Sequence, residues 1–176
     1  MKLIDIFEDQ TIPQLRQSTE RGFPNTKKRQ HSTGEVQVTN IEYQPAPAQK
    51  ALQITTITTS NGSGNQHNQM VMLKNATFES MGNGSNASFK AVDGKEYYIK
   101  PLPVNDTNVN VACDCEDYLM RFAHTNNQNG CHLGPLPPNY VRKTTTRPPA
   151  NPQNVPGCCK HLLKLLDDLK GYGLLA

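Results

Sequence analysis

The sequence predicts an α+β fold with an extended N-terminal arm, a small antiparallel β region and a C-terminal ββα-like module. Three observations carry this prediction. The middle of the chain alternates β-branched and polar residues, the last twenty residues repeat leucine with a helical period, and all five cysteines lie between Cys113 and Cys159. We therefore divide the chain into residues 1–49, 50–104 and 105–176.

The composition allows only a modest hydrophobic core. Of the 176 residues, 35% are hydrophobic and 6% aromatic, and tryptophan is absent. A chain of this kind is expected to need a metal, a partner or oligomerisation for stability. The formal net charge of +3 is too small to indicate nucleic-acid binding by itself. Because neither a signal peptide nor a run of about 18 apolar residues is visible, we expect a soluble protein made in the cytosol, with no membrane partner.

Residues 1–49 are predicted to form an extended arm that binds a partner. A short apolar start, residues 3–7, leads into a polar stretch in which no hydrophobic period persists. Such a segment is either disordered or becomes ordered on a partner surface. The basic triplet Lys27, Lys28 and Arg29 is predicted to be solvent-exposed.

Residues 50–104 are predicted to form antiparallel β hairpins. Residues 51–59 and 69–79 are alternating segments separated by the polar loop SNGSGNQHN. A second hairpin is predicted for residues 87–92 and 96–100, because Asp93-Gly94 between apolar runs is a strong turn signal.

Residues 105–176 are predicted to contain a strand, a long proline-rich loop and a helix. Residues 109–115 alternate as a strand does, and residues 133–156 hold seven prolines, which exclude regular structure over most of that segment. After Pro156-Gly157 a helix is predicted, with its core-facing leucine stripe at Leu162, Leu165, Leu166 and Leu169.

Two Cys/His pairs in this last region predict a metal site. Cys113 and Cys115, two apart in the predicted strand, point to the same side, and Cys159 and His161 stand at the start of the helix. Three thiolates and one imidazole form a standard closed set for structural zinc. The module is therefore predicted to be stapled by zinc, and a catalytic zinc is not expected.

Spacing alone leaves other ligand sets open. Cys158 lies three residues before His161 and would share its helical face if the helix began at Gly157, while Cys131-His132 offers two more candidates. An iron–sulfur cluster held by four of the five cysteines is an alternative cofactor, although no conventional ferredoxin spacing is present.

The C-x-C and C-x-H pairs resemble the SWIM-type zinc motif, whose modules are associated with protein or nucleic-acid contacts. Four longer segments are more specific: FKAVDGKEYYI (89–99), VACDCEDYLMRFA (111–123), PPNYVRKTTTRPPANPQNVPG (137–157) and CKHLLKL (159–165). By these segments the chain resembles virion structural proteins of tailed phages, including those of cyanobacterial and other large myoviruses. The resemblance covers about residues 87–170. It implies that Cys159 rather than Cys158 is the ligand, because the position before CKH is usually not cysteine in that group.

The resemblance implies a virion structural or assembly subunit, present in multiple copies in a symmetric particle and contacting other virion proteins. Its place, in baseplate, tail, neck or capsid, is not fixed by the sequence. The alternative is a nucleic-acid-binding zinc module that touches phosphates through Arg142, Lys143 and Arg147. We find no catalytic constellation and expect neither an enzyme nor a small-molecule substrate. His67 is predicted to be a surface residue of a polar loop.

Overall fold

The computed structural model describes residues 1–7, 33–79, 87–138, 151 and 154–176. The predicted basic contacts at Arg142, Lys143 and Arg147, like the triplet at residues 27–29, lie outside these residues.

The described residues form seven strands: β1 (Val36–Ala46), β2 (Ala51–Ser60), β3 (Gln66–Lys74), β4 (Phe78–Glu79), β5 (Ala87–Lys90), β6 (Glu96–Ile99) and β7 (Val109–Cys113). They also form four α-helices: α1 (Leu3–Phe7), α2 (Glu116–Arg121), α3 (Ala123–Gln128) and α4 (Lys160–Gly171). None of the helices in the described part of the chain is both long and apolar enough to cross a membrane.

The larger sheet has four antiparallel strands in the order β1-β2-β3-β7. Its inner face is set by the alternation of β2, where every second residue from Leu52 to Ser60 is buried. Leu52 and Ile54 make one end of that face apolar, whereas Thr56, Thr58 and Ser60 make the other end polar. The sheet therefore offers a hydrophobic surface at one end and a polar surface at the other.

The smaller sheet has three antiparallel strands in the order β4-β6-β5. β5 and β6 are joined by a tight turn in which Gly94 has a φ of +81°, a conformation that glycine adopts readily. Asp93 accepts hydrogen bonds from the Lys95 backbone amide (3.0 Å) and from the Tyr97 hydroxyl (2.9 Å). Both predicted hairpins, β2–β3 and β5–β6, are confirmed.

Helix α4 buries Leu162, Leu163, Leu165, Leu166 and Leu169. These leucines belong to one hydrophobic cluster that also takes in Leu3, residues of both sheets, and Leu175. Residues near both termini bond the segment 102–107. The Leu3 amide donates to the Thr107 carbonyl (2.7 Å), and the Ala176 amide donates to the Leu102 carbonyl (2.9 Å).

The α+β class is confirmed, with antiparallel sheets, a small second sheet and a C-terminal helix. The extended arm is corrected in its described part. Residues 36–46 are not an arm: they pair with β2 along their length. Residues 3–7 form α1, and Leu3 is fully buried. The division into three segments stays a prediction, although residues of all three share one core.

Candidate metal centre

Four buried side chains, those of Cys113, Cys115, Cys159 and His161, bring one candidate ligand atom each to within 4.8 Å of one another. The structure thus brings together all four residues that the sequence singled out. They form a Cys₃His cluster that could bind a metal ion.

Three elements supply these residues. Cys113 ends β7, Cys159 is the N-cap of α4, and His161 lies in the first turn of that helix. Cys115 was predicted to lie in the strand; instead the strand ends at Cys113, and Cys115 is the N-cap of α2. Its Sγ accepts a hydrogen bond from the Tyr118 backbone amide at 3.4 Å. The sulfur therefore caps a helix, which is a common role for a polar side chain at that position.

The imidazole of His161 is turned so that Nδ1 faces the sulfur atoms. Nδ1 lies 4.0 Å from the Sγ of Cys113 and 3.9 Å from the Sγ of Cys159. Nε2 lies on the opposite side, 3.5 Å from the Oγ of Ser60. The ring also contacts His67, with 4.5 Å between ring centroids.

The sulfur atoms do not behave as ordinary buried thiols. Burial raises the pKa of Cys113, but hydrogen bonds with Cys115, Cys159 and Gln69 together lower it by more than burial raises it, so the net pKa lies well below its ordinary value. Burial raises the pKa of Cys159 well above that value, and its contacts with Cys113 and Cys115 act in the same direction. Three thiols in contact favour one thiolate at Cys113 over three, unless a cation is present.

Cys158 and Cys131 lie outside this cluster. Both are fully buried, and none of the five cysteines forms a disulfide. Burial raises the pKa of both thiols, that of Cys131 to about 11. Of the two adjacent cysteines, the structure brings Cys159 into the cluster, in agreement with the ligand choice that the resemblance implies. His132 instead accepts or donates a hydrogen bond at the Tyr118 hydroxyl, 2.9 Å away.

Sequence reasoning missed the polar neighbours of the cluster. Gln69 lies in β3 with its amide nitrogen 3.7 Å from the Sγ of Cys113, and it is fully buried. Ser60 contacts His161 from the end of β2. His67 is half-buried in β3 rather than in a surface loop, and its Nδ1 lies 3.2 Å from an Asp114 carboxylate oxygen. A signal was present: the apolar alternation of β2 turns polar at Thr56, Thr58 and Ser60.

The donor set fits a metal that prefers sulfur and nitrogen. Three thiolates and one imidazole nitrogen are the ligands that Zn²⁺ takes in closed tetrahedral sites. All four residues are at least nine-tenths buried, so a bound ion would be shielded from water.

Comparison with protein families, curated proteins and solved structures found no match to this chain. The resemblance to virion proteins of tailed phages therefore stays a prediction from the quoted segments.

Proposed function

We propose that this chain is a zinc-stabilised structural or assembly subunit of a tailed-phage virion. The observation that carries the zinc in this proposal is the buried Cys₃His cluster, whose four candidate ligand atoms lie within 4.8 Å of one another. Its residues come from segments far apart in the chain, so one ion would tie them together.

The donor set supports zinc in a structural role. Four protein ligands complete a tetrahedral zinc site and leave no position for a substrate water, which is typical of structural rather than catalytic sites. Binding energy at such a site becomes folding energy. The chain has a modest hydrophobic content of 35%, so this contribution matters more here than in a larger core.

The virion role rests on the resemblance of residues 89–99, 111–123, 137–157 and 159–165 to virion structural proteins. A small fold stabilised by a metal suits a protein that acts by contacting neighbouring subunits. The proposed partners are other virion proteins in a symmetric assembly, and the proposed location is the virion.

Elemental analysis of the purified chain with an absorption spectrum tests the metal. We expect one zinc per chain and a colourless sample. Iron with a brown visible band would contradict zinc and would reopen the iron–sulfur cluster, with Cys131 or Cys158 as further ligands.

Cys158 and Cys159 are adjacent, so alanine substitutions at the two positions form a matched pair of variants that tests the proposed ligand set. We expect Cys159→Ala to lose the stoichiometric zinc, since Cys159 lies in the cluster, and Cys158→Ala to keep it. Equal zinc content in the two variants would contradict this ligand set.

Quantitative mass spectrometry of purified phage particles that encode the chain tests the virion role. We expect a fixed number of copies per particle that survives washing in high salt. Absence of the chain from intact particles would overturn the virion role while leaving the metal site intact.

A further inference from the structure

We infer that His161 ligates the metal through Nδ1, and that Ser60 and Gln69 are positioning residues that hold His161 and Cys113 in place. This inference rests on the proposed metal site. It assigns a role to the polar end of the larger sheet, which the ligand set alone does not explain.

Gln69 sits between the ligand strand and the polar residues of β2. In the sheet register it pairs with Cys113 of β7 on one side and with Thr56 of β2 on the other. Its Oε1 accepts a hydrogen bond from the Thr56 hydroxyl at 2.9 Å. Its Nε2 lies 2.9 Å from the Oγ1 of Thr58 and 3.7 Å from the Sγ of Cys113.

The orientation of the Gln69 amide is fixed by an acceptor that cannot donate. Nε2 lies 2.8 Å from the backbone carbonyl oxygen of His67. If the amide were flipped, two oxygens would face each other at that distance, which is unfavourable for buried groups. The NH₂ group therefore faces three acceptors: its two hydrogens serve the Thr58 and His67 oxygens at 2.8–2.9 Å, and its positive end also faces the Cys113 sulfur at 3.7 Å. An N–H donor beside a thiolate stabilises its negative charge.

Ser60 orients His161, as Gln69 supports Cys113. Nδ1 faces two of the cluster sulfurs at 3.9–4.0 Å, and Nε2 faces the Ser60 oxygen at 3.5 Å. An imidazole that binds a metal through Nδ1 carries its proton on Nε2, and a metal-bound histidine usually donates that proton to an oxygen acceptor. Ser60 is an acceptor in reach, and its contact sets both the tautomer and the ring orientation.

The change of character along β2 agrees with this role. Leu52 and Ile54 fill the same inner face where it meets the hydrophobic core, so apolar residues suit the strand. Buried hydroxyl and amide groups cost free energy unless they are bonded. Their confinement to the end near the cluster is explained by these bonds: Ser60 contacts His161 directly, while Thr56 and Thr58 bond Gln69, which in turn contacts Cys113.

The first test measures zinc affinity by competition with a chelating dye. Gln69→Glu keeps the size of the side chain but replaces the donor beside Cys113 with an oxygen. We expect roughly 10–100-fold weaker zinc binding, which is the usual effect of losing such a partner. The matched control is Gln53→Glu in β2, where the side chain donates to Gln44 on the outer face of the sheet, and we expect its affinity to be unchanged.

A second pair tests Ser60. We expect Ser60→Ala to weaken zinc binding, while Ser63→Ala, in the exposed loop between β2 and β3, leaves it unchanged. Equal affinities within both pairs would overturn the positioning role.

The tautomer is tested in the unaltered protein, so that no variant has to fold. With zinc bound, the ring carbon and nitrogen chemical shifts of His161 are expected to report Nδ1 ligation and an Nε2 proton. Shifts that report Nε2 ligation would overturn the inference even though zinc is bound. A protein that binds no zinc at all would instead overturn the proposed function.

Discussion

Gly157 fixes the position of the two cysteines that follow it. An added Cβ would lie 2.8 Å from Cε1 and 3.1 Å from Cδ1 of the Phe122 ring, so only glycine fits. The Asn126 side chain holds its backbone from both sides, donating to the Gly157 carbonyl (2.9 Å) and accepting from the Gly157 amide (3.0 Å). This contact holds the backbone at residue 157 against α3, three residues before α4 begins, and Cys158 and Cys159 follow directly from it.

We expect Gly157→Ala to lower the free energy of unfolding by about 1–3 kcal/mol, because the buried Phe122 ring must move. Urea unfolding with zinc present measures it. The control is Gly171→Ala, since a Cβ there meets no atom within 4 Å, and its effect should stay under about 1 kcal/mol. Similar losses in both variants would contradict the steric argument.

The buried thiol of Cys131 is expected to make the folded chain less stable as the pH rises into the alkaline range. Burial raises its pKa from 9.0 to about 11, so the folded chain disfavours the thiolate. The resulting stability is fully present below about pH 9 and is lost as pH rises through 11. We expect the free energy of unfolding to fall across this range, and to fall less in Cys131→Ala. Identical pH profiles for the two proteins would contradict this assignment.

At the scale of elements, α4 joins the metal cluster to the core. Its first turn carries His161, while Leu165, Leu166 and Leu169 are fully buried in the hydrophobic cluster. The helix therefore connects two sources of stability, hydrophobic burial and the ligands.

We expect Leu166→Ala to cost about 2–5 kcal/mol of folding free energy, as truncation of a fully buried leucine does. Thermal unfolding of the zinc-bound protein measures it. Leu136→Ala removes the same atoms from a side chain that is 40% exposed, and a much smaller loss is expected. A comparable loss in both would show that α4 is not packed as described.

The elements that the sequence predicted are those with an uninterrupted local pattern. β2, β3 and α4 keep their periods, so their faces could be read directly. β1 was missed because its register shifts between Val38 and Asn40 and because it contains Pro45. An edge strand tolerates both features, since one side of its backbone has no partner strand. α2 and α3 were missed because each spans only six residues.

The candidate site was predictable in part for the same reason. The pairs Cys113/Cys115 and Cys159/His161 are local, so spacing pointed to them. The contacts of Gln69 with Cys113 and of Ser60 with His161 depend on strand register and on how α4 crosses the sheet. The change from apolar to polar residues along β2 is a local signal that polar partners are needed, but it does not identify them.

At the scale of the whole molecule, one hydrophobic cluster extends from Leu3 to Leu175. It includes Cys158, which precedes the proposed ligand Cys159, and Tyr118, whose backbone amide bonds the proposed ligand Cys115. A single core of this kind is expected to unfold as a unit. Metal binding should therefore stabilise the β sheets as well as the C-terminal helix.

We expect removal of zinc by a chelator to lower the unfolding midpoint of the entire chain. Amide hydrogen exchange measures this: protection at Ile54 in β2 and at Leu166 in α4 should decrease together. Full protection of Ile54 in the chelated protein would instead support residues 50–104 as an independent unit.

The two ligand pairs lie far apart along the chain, so a metal that binds both would close a loop of polypeptide. A metal bound to Cys115 and Cys159 closes a ring of polypeptide that contains α2, α3 and the exposed residues 134–136. A protease that cuts one bond in that exposed stretch would open the ring without releasing either fragment. The two fragments of the cut protein would remain associated through the shared hydrophobic core and through the metal, much as fragments joined by a disulfide do. A chelator would remove the link that the metal provides.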